Sequence, residues 1–214
     1  MANINRPKGL SPVQNTDGSP WSQGATLFAV ASDASNTYAI GDIVMAAAGG
    51  DATGVPYVTK WSGTVAGASL PVGVIVGIRV ADPGTSLVGN SLSLEKTYLP
   101  LNAGTHYLYV VTDPMTYFTV QGDSTVWAAS NLNNNCNVTI TANQTTLGNG
   151  APFSNTVATG PATTNSLPLQ IVGINSRPDN ALGAYCELVV RWNVHAYIGQ
   201  ATGYLGQATG RTGV

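Results

Sequence analysis

The chain has 214 residues, and only 8% of them are Asp, Glu, Lys or Arg, against about 25% in an ordinary soluble domain. Ten acidic and eight basic residues leave a net charge of −2, too small and of the wrong sign for a surface that tracks phosphates, which argues against direct nucleic-acid binding. Hydrophobic content of 43% excludes a disordered polymer, and a chain of this length can bury enough surface for a core without staples.

The first nine residues hold Arg6 and Lys8 but no apolar run behind them, so they do not read as a secretory signal. No stretch reaches the roughly 18 apolar residues of a membrane span, because the best candidate, 70–80, contains Pro71, Gly73, Gly77 and Arg79. A protein kept in a cytoplasm, with no membrane partner, is the expectation. Cys136 and Cys186 are then expected as two small buried thiols; a bridge between them would contribute about 4 kcal/mol in the chain-entropy model but suits an oxidising compartment.

Residues 1–24 carry Pro7, Pro12, Pro20, Gly9, Gly18 and Gly24 with little periodicity. Proline fixes φ and removes a donor, so this stretch reads as an extended N-terminal arm outside any sheet, either frayed or docked through Leu10, Val13 and Trp21. Residues 25–196 form the expected all-β domain, with short runs of β-formers between turn residues at 26–31, 38–47, 56–60, 72–80, 105–112, 117–121, 137–142, 169–175 and 184–195. In 105–112, Tyr107, Tyr109 and Val111 share one face and His106, Leu108, Val110 and Thr112 the other. The turn at Asp113-Pro114-Met115-Thr116 predicts a hairpin with the run that follows.

Residues 125–130 are the one helix-like stretch, a turn or two that Asp123 or Ser124 could cap. The last strand alternates most cleanly, with Ala184, Cys186, Leu188, Val190, Trp192 and Val194 on a core face. Many short strands with Gly and Pro turns predict a single β-sandwich or barrel, with jelly-roll winding among the arrangements open to it.

Two regions break this rhythm. Residues 124–176 contain no Asp, Glu, Lys, Arg or His, and within them 144–168 is a long neutral insertion that reads as a loop, either a contact element or a floppy excursion. Residues 197–214 form a Gly-rich tail in which Tyr197-Ile198-Gly199-Gln200-Ala201-Thr202-Gly203 is repeated as Tyr204-Leu205-Gly206-Gln207-Ala208-Thr209-Gly210. Two copies are too few for a solenoid, and the unit suits a tail laid across a neighbouring subunit.

Chemistry-bearing residues are sparse. His106 and His195 have no His-x-x-x-His or Cys-x-x-Cys spacing around them, Glu95 and Glu187 are the only glutamates, and no Gly-x-Gly-x-x-Gly or Walker-type sequence occurs. No catalytic residue, metal site or cofactor is assigned. The histidines read as structural, and Trp21, Trp61, Trp127 and Trp192 read as core or interface anchors rather than sugar platforms.

Ala2-Asn3-Ile4-Asn5-Arg6-Pro7-Lys8-Gly9-Leu10-Ser11-Pro12-Val13, Gly41-Asp42-Ile43-Val44, Pro71-Val72-Gly73-Val74-Ile75-Val76-Gly77, Tyr107-Leu108-Tyr109-Val110-Val111-Thr112-Asp113-Pro114 and Tyr117-Phe118-Thr119-Val120 together resemble a structural protein found beside the major capsid protein in tailed phages. Residues 169–195, with Pro178-Asp179-Asn180 in a turn, are similar too. The resemblance implies a head decoration, or cement, protein on the capsid exterior, assembled in the host cytoplasm. Its partners would be the major capsid protein and copies of itself, as dimer or trimer.

Such a protein needs contact area and no reaction. Candidate capsid or subunit contacts are Asn3, Ile4, Pro7, Leu10, Val13 and Trp21 in the arm, Phe153 in the neutral stretch, and Tyr197 and Tyr204 in the tail. Two alternatives stand beside this reading: another β-rich virion component such as a tail tube or head fibre subunit, and a glycan-binding β-sandwich. Gathering of a tryptophan with tyrosines in one shallow groove would favour the second.

Overall fold

The computed structural model describes residues 3–22, 24–31, 33, 35–65, 69–79, 97–101, 105–142 and 153–197. The all-β expectation holds: thirteen strands occur among these residues, with one turn of 3₁₀ helix at Ala129–Asn131 where 125–130 reads as helix-like. Five strands close a barrel in the order β2 (Thr26–Val30), β5 (Pro56–Lys60), β4 (Ile43–Gly50), β6 (Pro71–Ile78) and β8 (His106–Val111). All its pairings are antiparallel except the seam between β2 and β5, which is parallel through Ala29 and Tyr57.

A six-stranded sheet lies beside the barrel, ordered β1 (Ser11–Asn15), β9 (Thr116–Gln121), β13 (Glu187–Trp192), β12 (Leu169–Ile174), β10 (Asn135–Thr139) and β11 (Val157–Ala162). It curls until β11 meets the end of β9, where Ala158 bridges Gly122 and its carbonyl accepts the Asp123 N–H at 2.9 Å. Two short strands, β3 (Tyr38–Ala39) and β7 (Tyr98–Leu99), pair separately, and Tyr38 and Leu99 pack into the barrel core.

Alternation explains which side chains go where. On β8, Leu108 and Val110 point into the barrel while Val111 faces the sheet. Leu188, Val190 and Trp192 of β13, with Cys186 just before it, all enter the core of the curled sheet, as the sequence predicts. That core is shared: Ile43, Trp61, Val74 and Val111 from the barrel side join Phe118, Leu169 and Leu188 from the sheet. Cys136 and Cys186 are free and buried in it, and burial pushes the two thiols up to about 12 and about 11.

Four expectations are corrected. Residues 105–121 do not make a hairpin. The turn forms, with Asp113 Oδ1 accepting the Met115 N–H at 2.8 Å, but β8 joins the barrel and β9 the other sheet. The turn is a local product of Asp and Pro, whereas strand partners are chosen by burial on either side of it. The 38–47 run breaks into β3 and β4 at Gly41, whose φ of +94° suits glycine.

The arm contributes β1, which pairs with β9 from Ser11 to Asn15. Pro12 is tolerated because this is an edge strand with a register shift between Pro12 and Gln14. Finally, the neutral insertion holds β11, the other edge strand, with Gly160 and Pro161 inside it. Residues 144–152 of that insertion, and 198–214 of the tail with Tyr204, lie outside the described residues.

Candidate functional site

The N-terminal segment is fastened to its own chain. Asn3 Nδ2 donates to the carbonyls of Ala181 and Ala184, both at 2.8 Å, and its Oδ1 accepts the Ala181 N–H at 3.1 Å. Gln121 Nε2 donates to the Ile4 carbonyl at 2.8 Å, and its Oε1 accepts the Arg6 N–H at 2.9 Å. Lys8 Nζ lies 2.5 Å from Glu187 Oε1, and Arg177 Nη1 lies 3.0 Å from Glu187 Oε2.

Leu10 then inserts into the shared core at 1% exposure. As an expected surface contact it is therefore corrected to a core residue, because it is the apolar side chain that anchors β1. Gly9 and Gly41 make this entry possible: a Cβ on Gly41 would stand 2.5 Å from the Lys8 carbonyl oxygen, and the Leu10 N–H donates to the Gly41 carbonyl at 3.0 Å.

The remaining candidate contacts divide. Ile4, Val13, Phe153 and Tyr197 are exposed, Asn3 and Pro7 are half-buried, and Trp21 packs half-buried against the core. Ile4 falls at one end of the curled sheet together with Leu182 and Val126. Asn3 holds Ala181 on one side of Leu182, and Gly183 on the other bridges Trp127. Neither Leu182 nor Val126 stands out in the sequence as a surface contact, since Leu182 is a lone large apolar residue between small ones and Val126 lies beside Trp127 in the stretch that reads as helix-like.

A groove of about 560 Å³ opens where the N-terminal segment crosses the barrel. Leu10, Pro12 and Trp21 line one side; Ile40, Val76 and Tyr109 line the other. No side chain lining it is charged, and Ser11 and Tyr109 supply its hydroxyls. Trp21 is the one tryptophan at such a surface, because Trp61, Trp127 and Trp192 are buried. Three separate segments of the chain meet here, through Leu10 to Pro12, Val76 with Gly77, and Tyr109.

Behind the groove wall is a buried ion pair. Lys60 Nζ lies 2.9 Å from Asp42 Oδ2 with both side chains essentially inaccessible, and Nζ also donates to the Thr37 carbonyl at 3.0 Å. Asp42 Oδ2 accepts the Ala39 N–H at 2.9 Å, and Oδ1 accepts the hydroxyls of Ser154 and, at 3.5 Å, Thr156. The pair therefore ties the start of β4 and the end of β5 to the segment leading into β11. The sequence carries a signal for it, since Lys60 follows Val58 by two positions on the buried face of a strand.

His195 ends the last strand in a structural setting. Its Nδ1 accepts the Tyr197 N–H at 3.1 Å, so Nε2 carries the proton and donates to the Val72 carbonyl at 2.8 Å. Burial pushes its pKa down to about 4 despite the Val72 bond. Glu187 also titrates low: burial raises it, but the Lys8 bond and charge, Asn175 and Arg177 outweigh that. Among the described residues no group of three or more His, Cys, Asp or Glu could hold a metal ion.

Both shifts have the same sign for stability. Between the ordinary histidine value and about 4, the unfolded chain takes up a proton on His195 that the folded chain refuses. Glu187, depressed in the fold, adds stability that is present above its ordinary value of 4.5 and lost as pH falls through the folded one. The urea midpoint is expected to fall from pH 7 to pH 4.5 mainly through His195, and His195→Asn should flatten that part of the curve. An unchanged slope in the variant would remove His195 from the account.

Comparison of the chain with protein-family models, with curated proteins and with solved structures found no match. What the fold and site define is an all-β protein of a closed barrel joined to a curled sheet, with an apolar groove at the junction and an apolar end formed by Ile4, Leu182 and Val126.

Proposed function

We propose that the chain is a structural virion protein that binds the outer surface of a phage capsid and stabilises the major capsid protein lattice. The observation that carries the reading is the apolar end. Ile4, Val126 and Leu182 are 63%, 72% and 43% exposed, and the Asn3 and Gln121 hydrogen bonds hold the segment beneath Ile4 in place. Preordered apolar side chains lose little entropy on contact, which is what a binding surface needs. The resemblance of the sequence to the head decoration protein supports the choice of partner.

Binding only the assembled shell adds the interface free energy to the resistance of the lattice against pressure from packaged DNA. Copies of the chain, as dimer or trimer, would multiply that contact by symmetry. A glycan-binding reading has Trp21 and Tyr109 in one groove in its favour. However, that groove offers sugar hydroxyls no carboxylate or amide side chain, so the head reading is preferred.

The test is reattachment of purified protein to heads stripped of it. Wild type should bind, and Ile4→Asp combined with Leu182→Asp should bind at least about ten-fold more weakly, since two apolar contacts become buried charges. Its circular dichroism should match wild type. Attachment should change by about two-fold or less between low and moderate salt, because few charges are available to be screened. Equal binding by the double variant, release by moderate salt, or absence of the protein from heads would each count against the reading.

A further inference from the structure

We propose that Lys60 and Asp42 are the two halves of an intramolecular isopeptide bond that forms slowly after the chain has folded. Lys60 Nζ and Asp42 Oδ2 stand 2.9 Å apart in an enclosed site, an amine held against a carboxyl group. The backbone beneath them is fixed: Lys60 pairs with Val44, and the Trp61 N–H donates to the Ile43 carbonyl at 3.0 Å. Reacting groups held in this way behave as if at an effective concentration of about 10⁵ M or more.

The surrounding polar groups suit the reaction. The Thr37 carbonyl accepts from Nζ at 3.0 Å and aims the amine. The hydroxyls of Ser154 and, at 3.5 Å, Thr156 donate to Asp42 Oδ1, and the Thr156 N–H fixes the Ser154 oxygen at 3.0 Å. One proton passes from Nζ to Oδ2, leaving a neutral amine beside a carboxylic acid. The Nζ lone pair then attacks Cγ, and the carbonyl electrons move onto Oδ1, where the two hydroxyls stabilise the charge. As those electrons return, Oδ2 leaves with a second proton from Nζ. The sum is one amide and one water, with no co-reactant.

Burial drives the step forward. In water the ionised pair is favoured because both charges are hydrated, whereas here that hydration is lost and one neutral amide replaces two enclosed charges. Neutral hydroxyls are weak proton shuttles, so fresh protein carries the ion pair and aged protein the amide. The bond closes residues 42–60, with β4 and β5, into a covalent ring. It involves no thiol and does not depend on head attachment.

Intact mass spectrometry of the full chain tests the proposal. Protein kept folded at physiological temperature should become lighter by one water over days, while a sample kept in concentrated urea should not. Trypsin then fails to cut after Lys60 and should release residues 9–79 as one peptide lacking one water, in place of 9–60 and 61–79. A succinimide at an aspartate loses the same water but leaves Lys60 cleavable. Lys60→Arg keeps the charge without the reactive amine and should hold its full mass. Ser154→Ala should react at least about ten-fold more slowly, having lost a donor to Oδ1. Folded wild type that retains its full mass after weeks, water loss with Lys60 still cleaved, or equal water loss by Lys60→Arg overturns the proposal. An unchanged rate in Ser154→Ala overturns the role given to its hydroxyl.

Discussion

Replacing Lys60 by methionine is expected to lower the unfolding free energy by about 3–5 kcal/mol, the cost of leaving a buried carboxylate without its counter-charge. Asp42 is fully enclosed, so water cannot take the place of the ammonium. The hydroxyls of Ser154 and Thr156 and the Ala39 N–H remain as donors, but they carry no formal charge. Against a usual total of about 5–15 kcal/mol, such a loss leaves a domain close to unfolding at room temperature. Adding Asp42→Asn to Lys60→Met should recover most of it, because the amide keeps an acceptor for Ala39 and removes the stranded charge. Urea midpoints of the two single variants and the double variant give the coupling directly. A single-variant loss below about 1 kcal/mol would mean that water or a backbone shift relieves the site.

The second large effect concerns the N-terminal segment. Leu10→Ala should cost about 2–5 kcal/mol, as other leucine truncations in packed cores do, because Leu10 is 1% exposed between barrel and sheet. Ile4→Asp, six residues away, should cost within about 0.5 kcal/mol, since that side chain is on the surface. Thermal denaturation of the two variants separates a structural segment from a detachable one. For the same reason, deleting residues 1–15 removes β1 along with Leu10 and exposes β9. Loss of head binding by that deletion would report unfolding, and only surface variants such as Ile4→Asp with Leu182→Asp test the contact.

The difference between these two residues marks where the sequence is readable. Along β13 and the residue before it, one buried face imposes a period of two, and Cys186, Leu188, Val190 and Trp192 stand out without a structure. Leu10 has no such neighbours, and Pro12 beside it argues against a strand. Only the edge position and the register shift reconcile proline with pairing. β11 is hidden for a related reason, since Gly160 and Pro161 score as turn residues yet sit on the unpaired margin of the sheet. The groove was out of reach altogether. It needs Tyr109 placed opposite Gly77 by the pairing of β8 with β6 and Trp21 placed against the core by β1, contacts separated by tens of residues.

Both margins of the curled sheet are closed to other chains. Along β1, the Trp21 N–H already donates to Val13, the Asn15 N–H to Ser19, and Gln14 bridges Pro20. Along β11, Ala158 is taken up by Gly122 and Asp123, and Pro161 has no N–H to offer. The barrel has no margin at all. Along the curled sheet and the barrel, a strand from a second molecule therefore finds little free ladder to extend among the described residues. On these two sheets a neighbour meets the described residues through their side chains, so such a contact can be undone without breaking a backbone ladder.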